Sequence, residues 1–162
     1  MRLHTITDTE TEPAEALRAL GLKLPEVQDD PKYPGWRRAA AGSIHVSGQL
    51  PYRDGALPLT GAVGDAVDVE AARELMVQAT LNALAVATAA AGGLERVRIV
   101  QLLVFVLSAP GFEEQSRVAD AGSELLVQVL GEHGRHARTA ISVAGLPRSS
   151  PVEVQMVCEA RA

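Results

Sequence analysis

The stretch VRIVQLLVFVL, residues 97–107, decides the fold. Only Arg98 and Gln101 interrupt an otherwise apolar run of strand length. A strand that is apolar on both sides must be covered on both sides, so it sits inside a sheet with something packed on each face. The flanking segments supply one cover. Before it, Asp68 caps a helix that runs to about Ala91, with Glu70 in its first turn and Gly92-Gly93 at its end. The last part of that helix, NALAVATAAA (82–91), is rich in small apolar side chains, which allow close approach to a sheet. After the strand, a second helix is expected from Gly111 or Phe112 to Leu130. Its Val118, Leu125, Leu126 and Leu130 recur at helical spacing, and Gly131 ends it. Both helices are expected on the same face of the sheet. The other face then needs a partner subunit.

Four shorter strands complete the pattern. Residues 36–41 and 43–49 read as a close pair around Gly42, and Ser43-Ile44-His45-Val46-Ser47 alternates as a half-buried strand does. The last two are RTAISVAG (138–145) and VEVQMVCEA (152–160), joined by LPRSSP as a final hairpin. In the first of them Thr139, Ile141 and Val143 share one face, and Arg138, Ala140, Ser142 and Ala144 share the other. The order ββαβαββ predicts an α+β fold with a sheet backed by helices on one side. Residues 1–32 form an N-terminal extension with a short helix near 14–20, and residues 33–162 form the domain proper. PYRDGALPLTGAVGD (51–65) is a loop whose best turn signal is Asp54-Gly55.

Composition narrows the function. The chain has 162 residues, 47% apolar and 22% charged, so it buries a sizeable core. A net charge of −5 and only five aromatic side chains argue against a broad nucleic-acid surface. No secretory leader is readable in MRLHTITDTETEPAEAL, and no uncharged run of eighteen apolar residues occurs, so a cytoplasmic protein with no membrane span is expected. The single Cys158 excludes a disulfide framework and reads as a buried structural thiol. His133 and His136 in GEHGRHAR, with Glu132, lack metal-site spacing and read as a solvated loop. Asp54, Asp65 and Asp68 lack the spacing of a calcium loop and read as turn and cap residues.

Two charged residues stand out. Arg138 opens a small, apolar strand just after a glycine-rich loop. There a guanidinium can grip a carboxylate through two donors, or simply close a surface salt bridge. Glu153 alternates with Val152 and Val154, as a solvated strand position or as a site carboxylate.

HARTAISVAGLPRSSPVEVQMV (136–157) resembles the C-terminal signature of the RidA/YjgF family. HVSGQLP (45–51) resembles that family's serine-glycine-glutamine segment. TLNALAVATAAAGGLERVRIVQLLVFV (80–106) resembles its asparagine-bearing helix, turn and central strand. Together they cover about residues 33–160 in order. The resemblance implies a chorismate-mutase-like ββαβαββ fold with a mixed sheet, a homotrimer, and ligand clefts between subunits. It implies an enamine or imine deaminase acting on 2-aminoacrylate-type intermediates of amino-acid metabolism, without metal or organic cofactor. Arg138 would hold the substrate carboxylate and Glu153 would position water. Tyr33, Ser47, Gly48, Asp120 and Ala140 would line the site, and Gln49 belongs to the same segment as Ser47 and Gly48. Two positions depart from the pattern. Ala140 stands where the well-studied branch has cysteine, and Asp120 where a helix carries asparagine. A carboxylate at 120 would either offset the charge of Arg138 or repel an anionic ligand. The alternatives are a non-catalytic trimer that binds a small carboxylate metabolite, and an endoribonuclease.

Overall fold

The computed structural model describes residues 12–27 and 34–162. Its elements are α1 (Pro13–Ala19), β1 (Trp36–Arg38), β2 (Ile44–Gln49), α2 (Val69–Ala91), β3 (Val97–Leu107), α3 (Gln115–Leu130), β4 (Ala137–Val143) and β5 (Val152–Ala160). Short 3-10 turns lie at Leu94–Arg96, Gly131–Gly134 and Pro147–Ser149. The expected ββαβαββ order is present, preceded by α1.

The five strands form one sheet in the order β1-β2-β5-β3-β4. β3 runs parallel to β4, and the other pairs are antiparallel. This corrects the expected final hairpin. β4 and β5 are not neighbours, because β3 lies between them. The reason is the crossover: β3, α3 and β4 form a βαβ unit, and a helical crossover brings the next strand back parallel. β5 then pairs with the opposite edge of β3, and the turn at Pro147–Ser149 carries the chain past its end. Two expected ends also move. β1 stops at Arg38 because Ala39 donates its N–H to the Ser43 carbonyl and closes the hairpin there. α3 begins at Gln115, because Gly111 has φ +79° in the turn ahead of it.

One sheet face carries the core. Ile44 and Val46 of β2, Met156 and Cys158 of β5, and Leu102, Val104 and Val106 of β3 are buried there. α2 and α3 cover them with Met76, Leu84, Val118 and Leu126. α2 starts where expected: the Asp68 carboxylate accepts the Ala71 N–H at 2.8 Å. It ends at Gly92, whose φ of +83° closes the helix in the left-handed conformation. Among the described residues α2 is the one helix long and apolar enough to cross a membrane. However, 67% of its apolar window is buried inside the chain. From the extension, Leu17 of α1 joins the same core. The thiol of Cys158 is held up to about pKa 11 by burial, so it stays protonated and packs as a small apolar group.

α2 and α3 approach closely at Gly122. A Cβ there would lie 2.6 Å from Thr80 Oγ1 and 3.3 Å from Met76 Cγ. Gly122→Ala is therefore expected to destabilise the fold by about 1–3 kcal/mol through overpacking. Urea denaturation checks this, and an unchanged midpoint would show that the two helices separate freely.

Among the described residues the second sheet face has no helix on it. Gln101, Leu103, Phe105 and Leu107 of β3 and Glu153, Gln155 and Val157 of β5 are only half-buried there, and Ile141 of β4 is 44% exposed.

Candidate functional site

The ladder registers assign each candidate to a face. Arg138 pairs with Leu102, which is fully buried under α3. Paired residues point to the same side of a sheet. Arg138 therefore lies on the helix side of β4, where α3 supplies its partners. Its Nη1 donates to Asp120 Oδ1 at 2.7 Å and to Ser123 Oγ at 3.2 Å. The carboxylate at position 120 thus forms an ion pair with Arg138. The arginine side chain is 24% exposed and that of Asp120 47%, so the pair is open to a ligand. Ala140 pairs with Val104 on the same face, two residues along β4, and packs on the core.

His136, expected in a solvated loop, belongs to this group. His136 Nδ1 lies 2.6 Å from the Gly134 carbonyl, and its Nε2 lies 3.0 Å from Ser123 Oγ. A carbonyl only accepts, so Nδ1 carries the proton and Nε2 of the neutral ring accepts from Ser123. The serine oxygen then offers its lone pairs to Arg138. The chain makes this possible at Gly134, where the backbone of Leu126 and Val127 leaves no room for a Cβ. The turn presses close on α3 and delivers His136 to it.

Glu153 lies elsewhere. It pairs with Phe105, and Phe105 with Ile141, so it points to the uncovered face. Ser47 is exposed on β2, beside β5, and on the same face. Its Oγ donates to the Pro34 carbonyl at 3.2 Å, and Gln49 Nε2 donates to the Ser47 carbonyl at 3.1 Å. Between them the β2–β5 register shifts, and Gly48 faces Glu153. A Cβ at Gly48 would overlap the Glu153 carboxylate, so the glycine makes the space that this side chain fills. Burial raises the pKa of Glu153 above the ordinary carboxylate value.

The candidates therefore form two groups. Arg138, Asp120 and Ala140 meet on the helix face at the β4 edge. Ser47, Gly48, Gln49 and Glu153 gather on the uncovered face. In the sheet Arg138 and Glu153 are two strands apart, about 10 Å laterally, and on opposite sides. Tyr33 lies outside the described residues. Asn82, from the helix segment 80–106, has a separate task. Its Nδ2 donates to the carbonyls of Leu50 and Tyr52 at 2.8 and 3.1 Å and pins the chain after β2. Among the described residues no cluster of three metal-ligating side chains occurs.

The fold, with its mixed sheet in the order β1-β2-β5-β3-β4, defines a class. The family model described as "YjgF/chorismate mutase-like, putative endoribonuclease" matches residues 14–160, and the chain belongs to that family. It is 40% identical over 148 residues to Protein TCP17 of Trypanosoma cruzi, covering 90% of this chain and 92% of the relative. Protein Atu1372 of Agrobacterium tumefaciens, of unknown function, superposes with a TM-score of 0.82 at 37% identity over 91% of this chain and 90% of its own. A protein of Shewanella oneidensis MR-1 described as a "putative endoribonuclease" superposes with a TM-score of 0.86 at 31% identity, over 92% of this chain and 99% of its own.

Proposed function

We propose that the protein hydrolyses the C=N bond of small carboxylate-bearing enamines and imines, in clefts formed between copies of the chain. The observation that carries this reading is the division of the site. Among the described residues, Arg138 sits on the edge strand with donors to spare, and Glu153 sits on a half-buried face with no helix over it. In one chain they cannot reach the same small molecule. A second copy packed against the uncovered face brings its β4 edge toward the first copy's Glu153. That packing also covers Leu103, Phe105 and Ile141, which are otherwise left partly in water. A closed ring of three copies repeats this heterologous contact three times, consistent with a homotrimer.

The chemistry follows from the two groups. Arg138 holds the substrate carboxylate through its planar fork. Water adds to the carbon of the protonated C=N bond, and Glu153 takes one of its protons. The resulting carbinolamine receives that proton from Glu153 on its nitrogen, the C–N bond breaks, and ammonia leaves as the Glu153 carboxylate takes the hydroxyl proton and the carbonyl forms. An iminium is already electrophilic, so the addition needs only a placed water and a proton carrier. The raised pKa of Glu153 suits it to both directions of that transfer.

The test is ammonia release from an imine generated in situ by a pyridoxal-phosphate lyase acting on serine. Faster release with this protein, and a light-scattering mass of three chains, is the expected result. Unaccelerated release by a properly folded oligomer would refute the catalytic reading, and a stable monomer at micromolar concentration would refute the shared cleft.

A further inference from the structure

We infer that the carboxylate site is built for a zwitterion, with Arg138 taking the carboxylate and Asp120 taking a cationic nitrogen on the adjacent carbon. This deepens the proposed function and rests on it. The arginine at this position is not a lone cation. Its Nη1 is committed to Asp120 and Ser123, and Ser123 is oriented in turn by His136. Among the described residues, Nε and Nη2 of Arg138 and Oδ2 of Asp120 make no hydrogen bond. The pair is therefore a receptor of zero net charge, with free donors at one end and a free acceptor at the other. Both side chains are partly open to solvent.

A ligand carrying only a negative charge gains the Arg138 donors but meets the Asp120 carboxylate beside them. A ligand with a carboxylate and a protonated nitrogen on neighbouring atoms satisfies both ends. That description fits α-amino acids and protonated 2-imino acids, and it excludes 2-oxo acids as good ligands. A site so charged favours the protonated imine over the oxo acid that its hydrolysis produces, so the product is expelled rather than held. Ser123 and His136 act as positioning residues, since both reach the ligand only through Arg138.

Calorimetric titration with 2-aminobutyrate, 2-oxobutyrate and butyrate at one neutral pH tests this. The three share a carbon chain and a carboxylate and differ in the charge next to it. The parent protein should bind 2-aminobutyrate about tenfold more tightly than either anion, the scale of one hydrogen bond between charged groups. Asp120→Asn should abolish that preference and tighten 2-oxobutyrate. Binding of 2-oxobutyrate by the parent as tight as that of 2-aminobutyrate would overturn the zwitterion inference while leaving the carboxylate site intact. The parent's own ranking decides this even where the variant folds poorly. No binding of any of the three would overturn the carboxylate site itself, and the inference with it.

Discussion

Arg138→Lys is expected to weaken binding of a carboxylate ligand by 30-fold or more, about 2–5 kcal/mol if the bound pair is desolvated. The size of this effect follows from shape. Arg138 divides its donors, giving Nη1 to Asp120 and Ser123 and keeping the rest for a ligand. A lysine ammonium is a single point. It would settle on Asp120, whose carboxylate is the nearest fixed anion, and leave the ligand without a fork. Calorimetry with the same three four-carbon acids measures the loss. Unchanged affinity in the variant would remove Arg138 from the site.

Glu153→Gln is expected to slow imine hydrolysis by about 10²–10⁴-fold while leaving carboxylate affinity nearly unchanged. The glutamine keeps the shape that fills the space over Gly48 but carries no proton for water or nitrogen. Normal turnover in this variant would remove Glu153 from the reaction. The same substitution has an opposite effect on stability, and pH reveals it. Burial makes the folded chain hold the Glu153 proton more tightly than the unfolded chain does. The ionised form therefore opposes folding. That opposition is complete above the raised folded pKa and disappears as pH falls below the ordinary carboxyl value. Glu153→Gln should accordingly raise the Tm at neutral pH and leave it unchanged in acid. A Tm gain that persists in acid would mean that the variant stabilises through packing rather than charge.

The parts of this fold that local pattern determines were legible. The doubly apolar run 97–107, the Asp68 cap and the Gly92 stop each act over a few residues, and the helices and strands fall where those signals place them. Pairing between strands is not local. LPRSSP joins β4 to β5 in the length of a hairpin, yet the βαβ crossover through α3 has already seated β4 on one side of β3, which leaves β5 the other. The division of the site was hidden for the same reason. Alternation within a strand shows that Arg138 and Ala140 share a face, but only the register with Leu102 shows that this face is the helix side. His136 was illegible because its role depends on Gly134 meeting the backbone of Leu126 and Val127, a contact with no periodicity to announce it. The carboxylate at 120 was visible as a departure from the family pattern, and its contact with Arg138 resolves which of two effects it has at rest: it offsets the arginine's charge.

The central claim is that Arg138 of one copy and Glu153 of another serve one site. Mixing the two single variants tests it most directly. Arg138→Ala and Glu153→Gln chains, each inactive alone, are unfolded together, refolded as one population and assayed for ammonia release from imine. In randomly mixed rings every cleft draws its arginine and its glutamate from different chains, so about a quarter of the clefts regain both intact residues. Recovery of roughly that share of the parent activity is the predicted result. A mixture as inactive as its separate components, with mixed oligomers demonstrated by mass, would contradict the account.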